Sequence, residues 1–205
     1  MKISVETLGK RFNREWIFKN LTYTFEAGTT YAVVGPNGSG KSTLLQVLWG
    51  QLPASIGTVS YSLQQNQIAT EDAYQSLAIA TPYMDLIEEF TAKEMIDFHF
   101  KFKKSREGKS SKEILDCLEL THASEKRLSN FSSGMRQRMK LGLAFYSEVP
   151  ILFLDEPSTN LDKKSILWYH TELLKLPSNC LLFIASNQEH EYPASARKID
   201  ILDYK

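Results

Sequence analysis

Gly35-Pro36-Asn37-Gly38-Ser39-Gly40-Lys41-Ser42-Thr43 matches G-x-x-x-x-G-K-[ST]. In such a run the glycines let backbone N–H groups turn toward a polyphosphate, the lysine adds charge, and the hydroxyl of Ser42 reaches a magnesium ion. A second candidate lies far downstream, where the apolar run Ile151-Leu152-Phe153-Leu154 is followed at once by Asp155 and Glu156. Asp155 is suited to hold Mg²⁺, and Glu156 to orient the water that attacks a terminal phosphate. Either motif alone has a plain explanation, a glycine turn for the first and helix-capping or surface acids for the second. Together in one chain they point to a nucleotide triphosphate and Mg²⁺.

Both motifs need a sheet edge to present them. Thr29 to Val34 reads as a buried strand and Ser42 to Trp49 as a helix, so strand, glycine loop and helix follow in the order phosphate binding requires. Ile151 to Leu154 is too short for a helix and reads as a buried parallel strand, which leaves Asp155 and Glu156 at the carboxyl edge where open α/β sheets bind ligands. Period-two alternation over residues 3–8 and 21–26 predicts a small antiparallel sheet at the N-terminus, with a further strand over 57–63. Helical patterns follow over 91–102, opened by the capping box Thr91-Ala92-Lys93-Glu94, and over 111–120 and 132–146. The last of these carries Met135, Met139 and Leu143 on one face and Arg136, Arg138 and Lys140 elsewhere. A helix around 163–176, a buried strand over 180–185 and a last strand over 199–202 complete an α/β fold with a mainly parallel sheet, an N-terminal antiparallel β subdomain and a helical insert.

The chain has 205 residues, 42% of them hydrophobic, and its 24 Lys+Arg balance 24 Asp+Glu. That balance argues against a nucleic-acid partner, which calls for a cationic surface. Cys117 and Cys180 have the spacing of free thiols rather than of a zinc site, and no apolar stretch nears the roughly 20 residues a bilayer span needs. The expectation is a cytoplasmic protein whose work at a membrane would depend on a partner's spans. Lys101 to Lys112 concentrates Lys101, Lys103, Lys104, Arg106, Lys109 and Lys112, which reads as a solvated connector or a contact for an anionic partner.

The order of these motifs resembles the ATP-binding cassette (ABC) family, specifically the nucleotide-binding subunit of a transporter. The resemblance spans nearly the whole chain and implies a P-loop NTPase fold of ABC ATPase type, a single domain over 1–205. Residues 1–83 and 149–205 would form the nucleotide-binding core, and 84–148 a helical subdomain carrying the signature. Phe12 stands where the family places an aromatic that stacks on adenine, although an aromatic there also suits the core. Phe131-Ser132-Ser133-Gly134-Met135 stands where the family has L-S-G-G-Q, which implies that Ser132 and Gly134 contact the γ-phosphate bound on a second subunit. Ser158-Thr159-Asn160-Leu161-Asp162 resembles the D-loop that crosses the dimer seam.

Three departures accompany the resemblance. Ser133 and Met135 replace a glycine and a glutamine of the signature. No glutamine stands in register around Thr81-Pro82-Tyr83. Ser186-Asn187 replaces a Thr-His pair, so an uncharged amide takes the place of the histidine that holds the γ-phosphate. The leading reading is an ATPase subunit that pairs head to tail with a second ABC subunit, identical or not, on the cytoplasmic face of the membrane and powers a separate integral membrane permease. Asn187 implies weak turnover. Two others stay open: a hydrolysis-impaired nucleotide switch subunit, and a soluble ABC ATPase outside transport.

Overall fold

Alternating side chains shape the first strands. In β1 (Lys2–Phe12), Ile3 and Val5 face inward, and β2 (Glu15–Glu26) answers in antiparallel register with Phe25 opposite Ile3 and Tyr23 opposite Val5. The chain then enters β3 (Thr30–Val34), turns through the glycine loop into α1 (Lys41–Leu48), and returns to the first sheet as β4 (Ile56–Leu63) and β5 (Asn66–Ile68), in the order β2-β1-β4-β5. The computed structural model describes residues 1–64 and 66–205.

The second sheet is built from β6 (Leu77–Ala80), β7 (Ile151–Asp155), β8 (Leu181–Ala185) and β9 (Arg197–Asp200), with order β6-β7-β8-β3-β9. β7, β8, β3 and β9 are parallel neighbours. Every residue of β7 and β8 is buried, as strands covered on both faces must be. Phe153 stacks on Phe183 at 4.7 Å, with Phe25 edge-on to Phe183 at 4.9 Å, and such pairs add about 0.5–1.5 kcal/mol to the area they bury. The last strand sits two residues earlier than its pattern predicts. Asp200 accepts from the Leu202 N–H at 2.9 Å and caps a 3-10 turn over Ile201–Tyr204, which takes those residues out of the ladder.

The helices are α2 (Ala92–His99), α3 (Ser111–Cys117), α4 (Ser133–Phe145) and α5 (Lys163–Leu174). The capping box on α2 forms as predicted: Thr91 Oγ1 accepts from Glu94 N at 3.2 Å while Glu94 Oε2 accepts from Thr91 N at 2.8 Å. Ser110 and Glu113 form another on α3. Contacts partition the chain into Met1–Ala78 with Val149–Glu156 and Pro177–Lys205, and Ile79–Glu148 with Pro157–Leu176. Residues 157–176, which the resemblance places in the nucleotide-binding core, group instead with the helical segment. The reason is a set of polar ties: Tyr146 Oη donates to Glu172 Oε2 at 2.6 Å, Trp168 Nε1 to the Cys117 carbonyl at 2.8 Å, and Arg138 Nη2 to Ser165 Oγ at 2.5 Å.

Two cations, Arg138 and Arg106, are buried. Arg138 is fixed by the Leu118 carbonyl, Glu119 and Ser165, with its guanidinium 5.1 Å from the Trp168 ring. Arg106 lies over the Tyr146 ring at 5.0 Å because its segment pairs with the end of α4, through the Ser105–Ser147 bridge and a 2.7 Å bond from Arg106 N to the Tyr146 carbonyl. The connector is therefore not wholly solvated.

At the same corner His99 Nε2 meets Ser147 Oγ at 2.9 Å, and burial, with Lys103 nearby, pulls its imidazole from 6.5 down to about 4. A depressed base stabilises the fold above the unfolded value and loses that contribution as pH falls through the folded one. Thermal unfolding between pH 6.5 and 4 should show His99 costing the wild type on the order of 2 kcal/mol more than it costs His99→Gln. Parallel pH profiles for the two proteins would contradict this.

Candidate nucleotide-binding site

The glycine loop is set by its own polar groups. Ser39 N donates to the Pro36 carbonyl at 3.1 Å, while Lys41 Nζ donates to the carbonyls of Gly35 at 3.0 Å and Pro36 at 3.1 Å. Gly40 lies at φ 105, in the left-handed region, and a Cβ there would meet Ile17 Cγ2 at 2.3 Å. Only glycine suits that turn, and it starts α1 with its free N–H groups facing the loop. Lys41 is nearly fully buried and spends two of its three N–H donors on the loop; the Ser39 hydroxyl is buried with no partner. Ser42 and Thr43 sit in the first turn of α1, and Asn37 and Gly38 on the exposed crest.

β7 delivers Asp155 to the same edge. Burial lifts its carboxyl to about 6, opposed by a hydrogen bond from Ser42, while Oδ1 is buried without any partner. An orphaned carboxylate oxygen beside a serine hydroxyl is a donor set for a hard divalent cation, so the residues fit Mg²⁺. Glu156 follows in a left-handed conformation, φ 44, which ends the strand direction at that residue. Backbone strain of about 1–3 kcal/mol at a non-glycine residue persists where the surroundings hold it, commonly at functional sites. Here the Glu156 N–H donates to the Ala185 carbonyl at 2.9 Å.

Asn187, just past β8, also reaches the loop. Its Nδ2 donates to Asn37 Oδ1 at 2.9 Å, and Asn187 lines a cleft of about 320 Å³ together with Gly35, Pro36, Ser186, Tyr192 and Lys198. Lys198 pairs with Glu189 at 3.1 Å across the Tyr192 ring. Phe12 ends β1 with 45% of its surface exposed, which makes it an open ring rather than a core side chain, and Lys10 Nζ lies 5.1 Å from its centroid.

In the helical unit, Ser132 caps α4 by accepting from Met135 N at 3.3 Å. A Cβ on Gly134 would come within 3.0 Å of the Asn160 carbonyl, so α4 and the 158–162 turn approach too closely there for a larger residue. Asp162 caps α5, accepting from Ser165 N at 2.8 Å. Ser132, Gly134, Asn160 and Asp162 line one cleft of about 510 Å³ together with His122 and Lys164. Gln137 reinforces the turn by donating to the Pro157 carbonyl at 2.9 Å.

One unit thus carries a lysine-braced glycine loop and a buried acid with an open oxygen beside the loop's serine, and the other a serine-capped helix against the 158–162 turn. Residues 18–159 match the ABC transporter family. The chain belongs to that family. It is 31% identical over 177 residues to the ABC transporter ATP-binding protein YybJ of Bacillus subtilis (strain 168), covering 84% of this chain and 79% of the relative. It is 27% identical over 166 residues to the linearmycin resistance ATP-binding protein LnrL of the same organism, covering 80% of this chain and 53% of that one. The chain thus spans about half the length of some relatives it matches. An ATP-binding protein of Pyrococcus furiosus, described as a putative ABC transporter, superposes with a TM-score of 0.81 at 20% identity over 100% of this chain and 99% of its own, a likeness of fold.

Among ABC ATP-binding subunits this chain carries contacts its motifs did not announce. Lys205 Nζ donates to the Ser39 carbonyl at 2.7 Å, adding a second lysine to the loop's outer face. Where the glutamine is missing, Lys140 Nζ donates to the Pro82 carbonyl at 2.7 Å and lies 3.4 Å from that of Thr81, while Tyr83 is exposed. Both pairs join residues distant in sequence, and neither lysine stands in a motif. No helix among the described residues is long and apolar enough to cross a membrane.

Gly40→Ala should lower stability by at least about 2 kcal/mol, from positive φ and the clash with Ile17 together. Adding Ile17→Ala should recover only the steric share. Denaturant unfolding measures both, and a Gly40→Ala protein as stable as wild type would refute the account of the turn.

Proposed function

We propose that the chain binds ATP with Mg²⁺, hydrolyses it slowly, and powers a separate integral membrane permease from the cytoplasmic face as one half of a head-to-tail pair of ABC subunits. The observation that carries this reading is the open Asp155 oxygen beside Ser42, at the mouth of a loop whose lysine holds only exchangeable carbonyl bonds. The family and its named ATP-binding relatives support it.

The loop residues Gly35 to Thr43 cradle the phosphates, with Lys41 exchanging its bonds to Gly35 and Pro36 for phosphate oxygens. Phe12 offers its exposed ring to adenine. Ser42 and Asp155 would hold Mg²⁺, which would neutralise charge on the phosphates. Glu156, turned out of the strand, orients the attacking water. Asn187 donates its amide toward the terminal phosphate in place of a histidine, after giving up Asn37. On the second subunit, Ser132 and Gly134 bring the positive end of α4 to that same phosphate, and Asp162 steadies the turn that faces the seam. The pair forms when nucleotide fills both loops and separates when the terminal phosphate is lost, a cycle that a permease can follow.

A neutral amide supplies less transition-state stabilisation than a charged imidazole, and the loss of one such donor costs about 10²–10³ in rate. Binding is spared, so Asn187 sets slow turnover rather than weak affinity.

Lys41→Ala should abolish ATP binding, read by equilibrium binding on the purified chain; unchanged affinity would remove the loop from the mechanism. Glu156→Gln should bind ATP normally and release no phosphate above background. Asn187→His should raise phosphate release at least about tenfold with affinity nearly constant, and a histidine variant no faster than wild type would show that Asn187 does not limit turnover.

A further inference from the structure

The tip of the β1–β2 hairpin carries a buried cation with no carboxylate beside it. Lys10 is only 8% exposed, and no ion pair among the described residues includes it. Its Nζ donates to the Pro53 carbonyl at 2.8 Å and lies over the ring of Phe12, 5.1 Å from the centroid. Residues two apart on a strand share a face, which brings the ammonium to that ring.

The backbone around the pair is fixed from two sides. Phe12 stands opposite Glu15 across a two-residue turn in which Asn13 takes a left-handed φ of 53. On the other side, Ser55 N donates to the Gly9 carbonyl at 2.8 Å, and Ser55 Oγ accepts from Arg11 N at 3.1 Å. The 53–55 segment therefore holds the strand and, through Pro53, the ammonium as well. The ring has less support. Phe12 is exposed, and no aromatic pair among the described residues includes it.

Taking an ammonium out of water without a carboxylate opposes folding, and an apolar chain of similar length would cover the same strand without that penalty. Hairpin stability alone would be served as well by methionine. A cation over a π face is attracted most where water is excluded, and the attraction restrains the ring that supplies the face. A ring restrained in advance loses less freedom when a ligand stacks on it.

We propose that Lys10 is a positioning residue for the nucleobase: its ammonium holds the Phe12 ring from one face and leaves the other to the adenine of ATP. This role rests on Phe12 being the adenine's stacking partner. The bonds of Lys10 go to Pro53 and Phe12 rather than to the glycine loop, so its effect is confined to ligands that carry a base.

The test is equilibrium binding of ATP and of inorganic tripolyphosphate, which has the phosphates but no base, to the full chain with magnesium present. Phe12→Ala should weaken ATP and leave tripolyphosphate unchanged. Lys10→Met should weaken ATP by about fivefold, the loss of one largely desolvated cation–π contact, again without effect on tripolyphosphate. Lys10→Gln, which keeps a donor for Pro53 but no charge, should show the same selective loss, and it carries the test if Lys10→Met does not fold. Lys10→Arg should retain ATP affinity. In chains that also carry Phe12→Ala, replacing Lys10 should cost ATP nothing further. Unchanged or tighter ATP binding in the Lys10 variants, equal losses with both ligands, or losses that add in the double variant would overturn the proposal and leave Lys10 a support of the hairpin. If Phe12→Ala itself spares ATP, the adenine reading of Phe12 falls and the role of Lys10 with it; a loss at Phe12 without one at Lys10 sinks the role of Lys10 alone.

Discussion

A loop that aims its amides at a phosphate must place its carbonyls elsewhere. The peptide plane is rigid, so fixing the carbonyl of one residue fixes the N–H of the next on the opposite side. In this chain lysines meet that demand. Lys41 takes the carbonyls of Gly35 and Pro36, and Lys205 that of Ser39, whose peptide carries the N–H of Gly40. With φ 105 and no side chain, Gly40 could otherwise let that peptide rotate. The loop is therefore ordered before phosphate arrives, and less of the binding free energy is spent ordering it. Lys41 is already desolvated as well, so a phosphate replaces two carbonyls at a buried ammonium rather than drawing a hydrated one inward.

Buried charge divides this molecule into scaffold and site. Glu172 is 1% exposed and complete, with Tyr146 and Lys175 on its two oxygens. Arg138 is likewise matched, by a carbonyl, a carboxylate, a hydroxyl and a ring. Those groups hold helices together, and removing either partner of such a set is strongly destabilising. Asp155 and Arg106 are buried to a similar degree but keep atoms unspent. The first stands at a strand end beside a phosphate loop, where a cation would complete it; the second lies over the Tyr146 ring. Incomplete pairing, rather than burial, separates the two classes.

What was legible in the sequence was local. The glycine loop, the paired acids after an apolar run and the capping box at Thr91 are each written within a few neighbouring residues, and each forms where its spacing puts it. The misreadings involve partners far along the chain. Arg106 reads as part of a solvated connector until Tyr146 is brought to it. The final strand looked longer because Ile201 and Leu202 continue its apolar run, and Asp200 capped a turn instead. In the helix after Thr91, Phe100 and Phe102 keep the apolar spacing but lie beyond the last turn, where Phe102 packs edge-on to Phe98. Periodicity reports which side chains are buried, not whether the backbone beneath them is still helical.

Asn187 joins these threads. As a residue type it reads only as a loss, an amide where a titratable ring is expected. In the fold it is bonded to Asn37, 150 positions away, on the crest of the glycine loop. That bond is made between neutral groups, so it breaks at small net cost, about 0.5–1.5 kcal/mol. A charged imidazole held there would need an anion or a carboxylate to offset its burial while the site was empty. The amide pair needs neither. Its two amides satisfy each other at any pH. The amide pair thus ties the segment after β8 to the crest of the glycine loop without a buried charge on either side.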